Sequence, residues 1–273
     1  MRLIVSADDF GASAAINRGV ARACREGIVT SASLMAGGEA FEEALALVDD
    51  LPQLGVGAHL TLVAGRAVLP PARAPTLVSG DGSLPAEAGA FARSFFGGKI
   101  TLADVRAELG AQLARLLAAG VRLTHLDSHQ HLHHLPGVAA VVAELAREFG
   151  VRAARLGRCR LRPRGPRWWG RQLGLRFAAE AFGRLARRAG LRTPDGLVGH
   201  AWAGRLKADR LTAVMAELPP GTWELICHPA EAGTEAEAAE GYDRPGELAA
   251  LTATEVAAAR EEYGVRLINY AAL

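Results

Sequence analysis

Leu3-Ile4-Val5-Ser6-Ala7-Asp8-Asp9-Phe10-Gly11 decides the fold: an apolar run ends in two carboxylates and a glycine, and a helical pattern starts at Ser13. An apolar strand, a short turn and an amphipathic helix make one β/α unit. Outward from it the unit recurs. Strands are expected at Leu3 to Ser6, Ile28 to Met35, Gly55 to Leu62, Val121 to Asp127, Val151 to Leu156, Trp223 to Cys227 and Arg266 to Tyr270. Helices are expected at Ser13 to Glu26, Glu39 to Asp49, Leu102 to Ala118, Gly137 to Phe149, Ala208 to Ala216 and Ala253 to Glu262. Alternation this regular implies an α/β fold with a mainly parallel sheet, and the number of units in 273 residues fits a closed, TIM-like β/α barrel in a single domain over 1–273.

Two segments break the rhythm. Gly65 to Phe96 carries Pro70, Pro71, Pro75 and Pro85 and reads as a long loop, either a lid or a surface excursion. Residues 152–192 are rich in Arg and Trp, with 13 arginines and the single acid Glu180. Within them Arg162 to Arg167 reads as a turn and Trp168 to Ala189 as a helix. This stretch nets +12 against +2 for the whole chain, so the remainder carries about −10 and charge is segregated. Arginines interleaved with Trp168, Trp169, Leu173, Leu175, Phe177 and Phe182 suit either an anionic membrane surface or a helix packed on the barrel.

Hydrophobic residues make up 50% and charged residues 22%, an ordinary globular balance. A near-neutral total excludes a nucleic-acid polycation, and no apolar run reaches the roughly 18 residues of a membrane span. Cys24, Cys159 and Cys227 are odd in number and far apart, which argues against a disulfide framework. The first residues lack the pattern of a signal peptide. A cytoplasmic protein is expected, peripheral to the inner membrane if the Arg/Trp segment seats on lipid.

In a β/α barrel, chemistry gathers where strands end. The first strand ends in Asp8-Asp9; neighbouring side chains on an extended chain point apart, so the two carboxylates are suited to different roles. The third expected strand carries His59 among small and apolar residues. The fourth leads into Thr124-His125-Leu126-Asp127-Ser128-His129-Gln130-His131-Leu132-His133-His134, with five of the eight histidines. An extended backbone would put His125, Asp127, His129 and His131 on one face. Imidazoles with a carboxylate suit a borderline divalent ion, and a set short of four protein ligands leaves a position for catalysis. Cys227-His228-Pro229 adds a His at another strand end. An ion-bound water, a carboxylate to take its proton and a His to protonate a leaving amine are the parts of amide or ester hydrolysis. A metal phosphoesterase with similar ligands and a non-enzymatic RNA- or membrane-binding barrel are the competing readings.

Ala7-Asp8-Asp9-Phe10-Gly11, Gly27-Ile28-Val29-Thr30-Ser31-Ala32-Ser33-Leu34-Met35, Gly57-Ala58-His59-Leu60-Thr61-Leu62, Thr124 to His131 and Cys227-His228-Pro229-Ala230 occur in an order and spacing that resemble the YdjC-like carbohydrate deacetylases. The resemblance spans nearly the whole chain. It implies an irregular β/α barrel that removes N-acetyl groups from amino sugars, with Asp9, His59 and His129 as metal ligands. Asp8 then matches the carboxylate that activates water, and His228 a His near the leaving group. His125, Asp127 and His131 become candidates for orienting a ligand or touching substrate, while His133, His134 and His200 are expected to be surface or structural residues. One divalent ion is implied, Zn²⁺ first by ligand chemistry, with Mg²⁺, Mn²⁺ and Co²⁺ also compatible. A homodimer is compatible with the resemblance, and no nucleic-acid partner is expected.

Leu185 to Leu191, Gly199-His200-Ala201-Trp202-Ala203-Gly204 and Leu218-Pro219-Pro220-Gly221 further resemble the branch associated with hopanoid biosynthesis. That branch implies an N-acetylglucosaminyl hopanoid lipid as substrate. Members of it often carry Asn-Ala-His where this chain has Asp127-Ser128-His129, the form of the members that act on soluble chito-oligosaccharides.

Overall fold

The computed structural model describes residues 1–159, 166–233 and 241–273. Its strands are β1 (Arg2–Phe10), β2 (Ser31–Leu34), β3 (Gly55–Leu60), β4 (Leu126–Ser128), β5 (Gly196–Val198), β6 (Thr222–Cys227) and β7 (Arg266–Leu267). Its helices are α1 (Ala14–Glu26), α2 (Phe41–Asp49), α3 (Ala88–Phe96), α4 (Leu102–Ala118), α5 (Val138–Glu148), α6 (Pro166–Arg188), α7 (Ala208–Ala216), α8 (Arg244–Leu251) and α9 (Thr254–Glu262).

All strand pairings are parallel, in the order β4-β3-β2-β1-β6-β5, with β7 added beside Arg2 and Leu3 of β1. Residues 153–159 join the two outer strands. Leu126 bridges Ala154 and Cys159 bridges Leu197, while the Leu126 N–H donates to Ala153 C=O (3.1 Å) and the Leu197 N–H to Arg158 C=O (2.9 Å). This seam closes an irregular, TIM-like β/α barrel. β1 is its most enclosed strand, buried from Leu3 to Phe10, as a parallel strand covered on both faces must be.

Local sequence accounts for the helices around it. Ser13 Oγ accepts the Ile16 N–H (3.4 Å) to start α1, and Thr101 Oγ1 accepts the Asp104 N–H (3.2 Å) to start α4. Each such cap contributes about 1 kcal/mol. α1 then buries Ala15, Ile16, Val20 and Ala23 in one stripe against the barrel. Gly57 on β3 makes room for a ring. A Cβ there would lie 2.4 Å from the His125 imidazole, so only glycine lets that side chain lie across the strand.

Several sequence expectations change locally. Val121 to Asp127 narrows to β4, and Val151 to Leu156 becomes the seam of isolated bridges, because its hydrogen bonds alternate between β4 and residue 192. Residues 65–96 are not loop throughout. α3 forms their last third and buries Phe91, while Ala74, Leu77, Val78 and Leu84 tie the preceding stretch to the core. β5 and α8 carry too few apolar residues in period to be read in advance. In the Arg/Trp segment, α6 begins at Pro166, two residues before the expected start. Arg162 and Arg164 of the expected turn lie outside the described residues, as do the side chains of Trp168, Trp169, Leu173 and Leu175. Phe182 is buried against His133 and His134, whereas Phe177 is 69% exposed. No described helix is long and apolar enough to cross a membrane.

Candidate active site

The ends of β1, β3, β4 and β6 bring Asp8, Asp9, His59, Asp127 and His228 to one end of the barrel, and His129 follows directly after β4. β1 does not stay extended to its tip. Its register with β2 shifts between Ala7 and Phe10, and Asp9 has φ +64°. That left-handed conformation costs a non-glycine residue on the order of 1–3 kcal/mol. It breaks the simple alternation expected for the doublet and leaves both carboxylates buried with separate partners.

Asp9 faces two imidazoles. Its Oδ1 lies 3.1 Å from His129 Nδ1 and 3.4 Å from His59 Nε2, and its Oδ2 accepts from Arg244 Nη2 (2.7 Å). Burial works against its charge, yet the two histidines and Arg244 hold the carboxyl well below the ordinary range. His59 Nδ1 meets Asp127 Oδ1 at 2.8 Å, while its buried Nε2 has no hydrogen-bond partner. Burial would depress this imidazole, but the charge and hydrogen bond of Asp127 outweigh it and push its pKa up to about 10.

Asp8 belongs to a second cluster. Arg155, wholly buried, grips both its oxygens and also reaches Asp127 Oδ2 (2.7 Å) and Glu224 Oε1 (2.9 Å). The Tyr270 hydroxyl donates to Glu224 Oε2 (2.7 Å), and the Tyr270 ring stacks on His125 at 3.8 Å. Ser33 Oγ donates to Asp127 Oδ2 (2.7 Å). Burial drives Glu224 up to about 7 against the pull of Arg155 and Tyr270, and drives His125 down to about 3.

The donor set fits a divalent cation. Asp9, His59 and His129 offer one ligand atom each, all within 4.8 Å of one another. His59 Nε2 is an orphaned buried atom aimed at that position, and its Nδ1 is fixed by a carboxylate, the usual way a ligand imidazole is oriented. With Asp8, Asp9, Asp127 and Glu224 ionised, the network holds four carboxylates against the guanidiniums of Arg155 and Arg244. A doubly charged ion would balance the −2 left over.

The expected common face of His125, Asp127, His129 and His131 does not form. The extended backbone stops at Ser128, and Gln130 (φ +52°) and His131 (φ +58°) turn the chain through a 3₁₀ segment. His125 therefore sits below Asp127 against Tyr270, and His131 points to His200, 5.2 Å away between ring centres. His133 and His134 are buried and structural: His133 bonds Ser128 Oγ (2.6 Å) and His134 Nε2 accepts the Gly157 N–H (3.1 Å). His228 is buried with an unpartnered Nδ1, its ring 4.7 Å from that of Tyr242, and its N–H donates to Glu247 (2.6 Å). Cys227 is buried and its thiol is pushed well up by burial, which removes it as a nucleophile.

Sequence reasoning passed over Arg155, Glu224, Arg244 and Tyr270. For Arg155 a signal exists: an arginine within Val151-Arg152-Ala153-Ala154-Arg155-Leu156 at an inward register of a strand pattern needs buried carboxylates. Glu224 inside Trp223-Glu224-Leu225-Ile226 is its counterpart.

Residues 2–262 match the model of the YdjC-like protein family. The chain belongs to the YdjC-like family. A carbohydrate deacetylase of Geobacillus stearothermophilus is 36% identical over 98% of this chain and 96% of its own length. A chitooligosaccharide deacetylase of Klebsiella pneumoniae is 32% identical over 98% and 97%. Among solved structures, this YdjC-like chain is similar to one from Enterococcus faecalis named for cellobiose-phosphate cleavage. The two superpose with a TM-score of 0.79 at 28% identity, covering 99% of this chain and 98% of that one.

Proposed function

We propose that this YdjC-like chain is a metal-dependent hydrolase that removes the N-acetyl group from an amino sugar. The observation that carries the reading is the Asp9, His59 and His129 donor group, with its orphaned Nε2, sharing one barrel end with Asp8 in the grip of Arg155. The names of the deacetylase relatives support the same chemistry.

Asp9, His59 and His129 would hold the ion, Zn²⁺ first, with Mg²⁺, Mn²⁺ and Co²⁺ also suited to the set. When bound, the ion supplies Lewis acidity that polarises the acetamide carbonyl and lowers the pKa of a water. Asp8 takes the proton of the attacking water; Arg155 fixes its carboxylate while leaving further lone pairs open to accept. His228 gives a proton to the sugar nitrogen as its bond to the acyl carbon breaks, so the products are acetate and the free amine. Asp127 fixes the His59 ring, and His125 supports that carboxylate through Ser33. His131 and its neighbour His200 are candidates for touching the sugar.

Two acyl acceptors follow from different features. The motifs at Leu185 to Leu191, Gly199 to Gly204 and Leu218 to Gly221 favour an N-acetylglucosaminyl hopanoid, with peripheral contact to the inner membrane through the Arg/Trp segment. Asp127-Ser128-His129 and the Klebsiella relative favour soluble chito-oligosaccharides. The deciding experiment measures acetate released from N,N′-diacetylchitobiose and from the hopanoid in detergent, side by side with Zn²⁺ supplied. Release from one alone assigns the acceptor. Release from neither overturns the deacetylase reading.

A further inference from the structure

A short motif recurs at the end of the barrel opposite the candidate active site: Gly120-Val121-Arg122, Gly150-Val151-Arg152, Gly190-Leu191-Arg192 and Gly264-Val265-Arg266. Each glycine stands two residues beyond the end of a helix, α4, α5, α6 and α9 in turn, with φ between +60° and +82°. Each following Val or Leu is buried, and its N–H returns to a carbonyl five residues earlier, which is the Schellman way of ending a helix. The arginine comes next. The same step of the β/α unit thus plants a guanidinium on the same face four times.

Three of these arginines converge. Arg122, Arg152 and Arg192 line a cavity of about 630 Å³, with Thr124 and Asn269 as polar neighbours and Asp49 as its single acid among the described residues. Arg192 donates to the Leu273 carbonyl, whereas Arg122 and Arg152 form no ion pair among the described residues. A second cavity of about 450 Å³ adjoins across Arg192 and brings Arg2 and Arg187, together with Arg158, Glu180 and Asp195. Arg158 is occupied by Glu180 and the Asp195 carbonyl. One cation past each helix C-terminus is what the helix dipole favours. The dipoles do not account for three guanidiniums around one concave space, where they repel one another unless an anion lies between them. The volume is that of a small-molecule site, and guanidinium forks match phosphate oxygens in pairs.

We propose that this cavity binds a small soluble phosphate ester, apart from the deacetylation site and independently of its substrate. The concave shape favours a discrete ligand over a flat lipid surface. The test titrates the zinc-loaded full chain with fructose 1,6-bisphosphate by calorimetry at low and high salt, for the parent chain, R122Q, R152Q and the distant exposed control R93Q. Saturable one-to-one binding is expected, weakened at least tenfold in R122Q and R152Q, unchanged in R93Q and reduced by salt. All three exchanges lie on exposed side chains, and melting temperatures confirm that the variants are folded. No binding at low salt, equal binding by all four proteins, or binding only to phosphatidylglycerol vesicles would each overturn the proposal.

Discussion

Arg155 Nη1 and Nη2 close on the two carboxylate oxygens of Asp8 at 2.7 and 2.6 Å, and this pair is buried in the barrel 147 residues apart in sequence. A planar fork fixes both the position and the plane of the carboxylate, which a lysine cannot do. R155K is expected to keep one equivalent of metal and to lose about 100-fold in kcat, or ~3 kcal/mol of transition-state stabilisation. Unfolding must be measured alongside, since breaking a buried pair costs about 3–5 kcal/mol. A folded R155K with parental kcat would separate Asp8 from the reaction.

Asp8 and His129 are expected to fail in different ways. D8N keeps the metal and loses roughly 10²–10⁴-fold in turnover, the worth of a general base. H129A loses metal and activity together. Metal content by atomic emission, read beside acetate release, separates the two; chelation of the parent protein should abolish activity and Zn²⁺ restore it.

Asp127 touches no expected substrate atom but fixes the His59 ring at 2.8 Å. D127N is expected to weaken metal affinity about 10–100-fold, measured by competition with a chromophoric chelator. Unchanged affinity would mean that His59 is oriented by packing alone.

Glu224 supplies a pH dependence. Burial raises its folded pKa to about 7 from 4.5, so the stability linked to its proton is complete below pH 4.5 and is lost as pH rises through 7. The loss is at most on the order of 3 kcal/mol. In chelator-treated protein, E224Q should flatten this fall between pH 5 and 8, as read by denaturant unfolding. Parallel curves for the two proteins would show that Arg155 keeps Glu224 ionised throughout.

Much of this was legible in the chain. The barrel follows from repeated strand and helix periods, and Asp9, His59 and His129 meet although 50 and 70 positions separate them, since each stands at or just after a strand end. The arrangement beneath them was not. Glu224 and Arg155 are 69 positions apart, and nothing local says that one guanidinium serves three carboxylates. The face expected to include His131 fails to form for a backbone reason, because two left-handed residues end the period-two pattern just after His129. A long proline-bearing stretch likewise hid α3, whose nine residues give only a short apolar period.

Asp9 holds a backbone conformation that glycine would adopt without strain. Evolution toward heat resistance and selection for turnover therefore pull position 9 in opposite directions. A library enriched for thermal survival, with no assay of chemistry, would tend to discard this aspartate, and the sturdier proteins it yields would be inert.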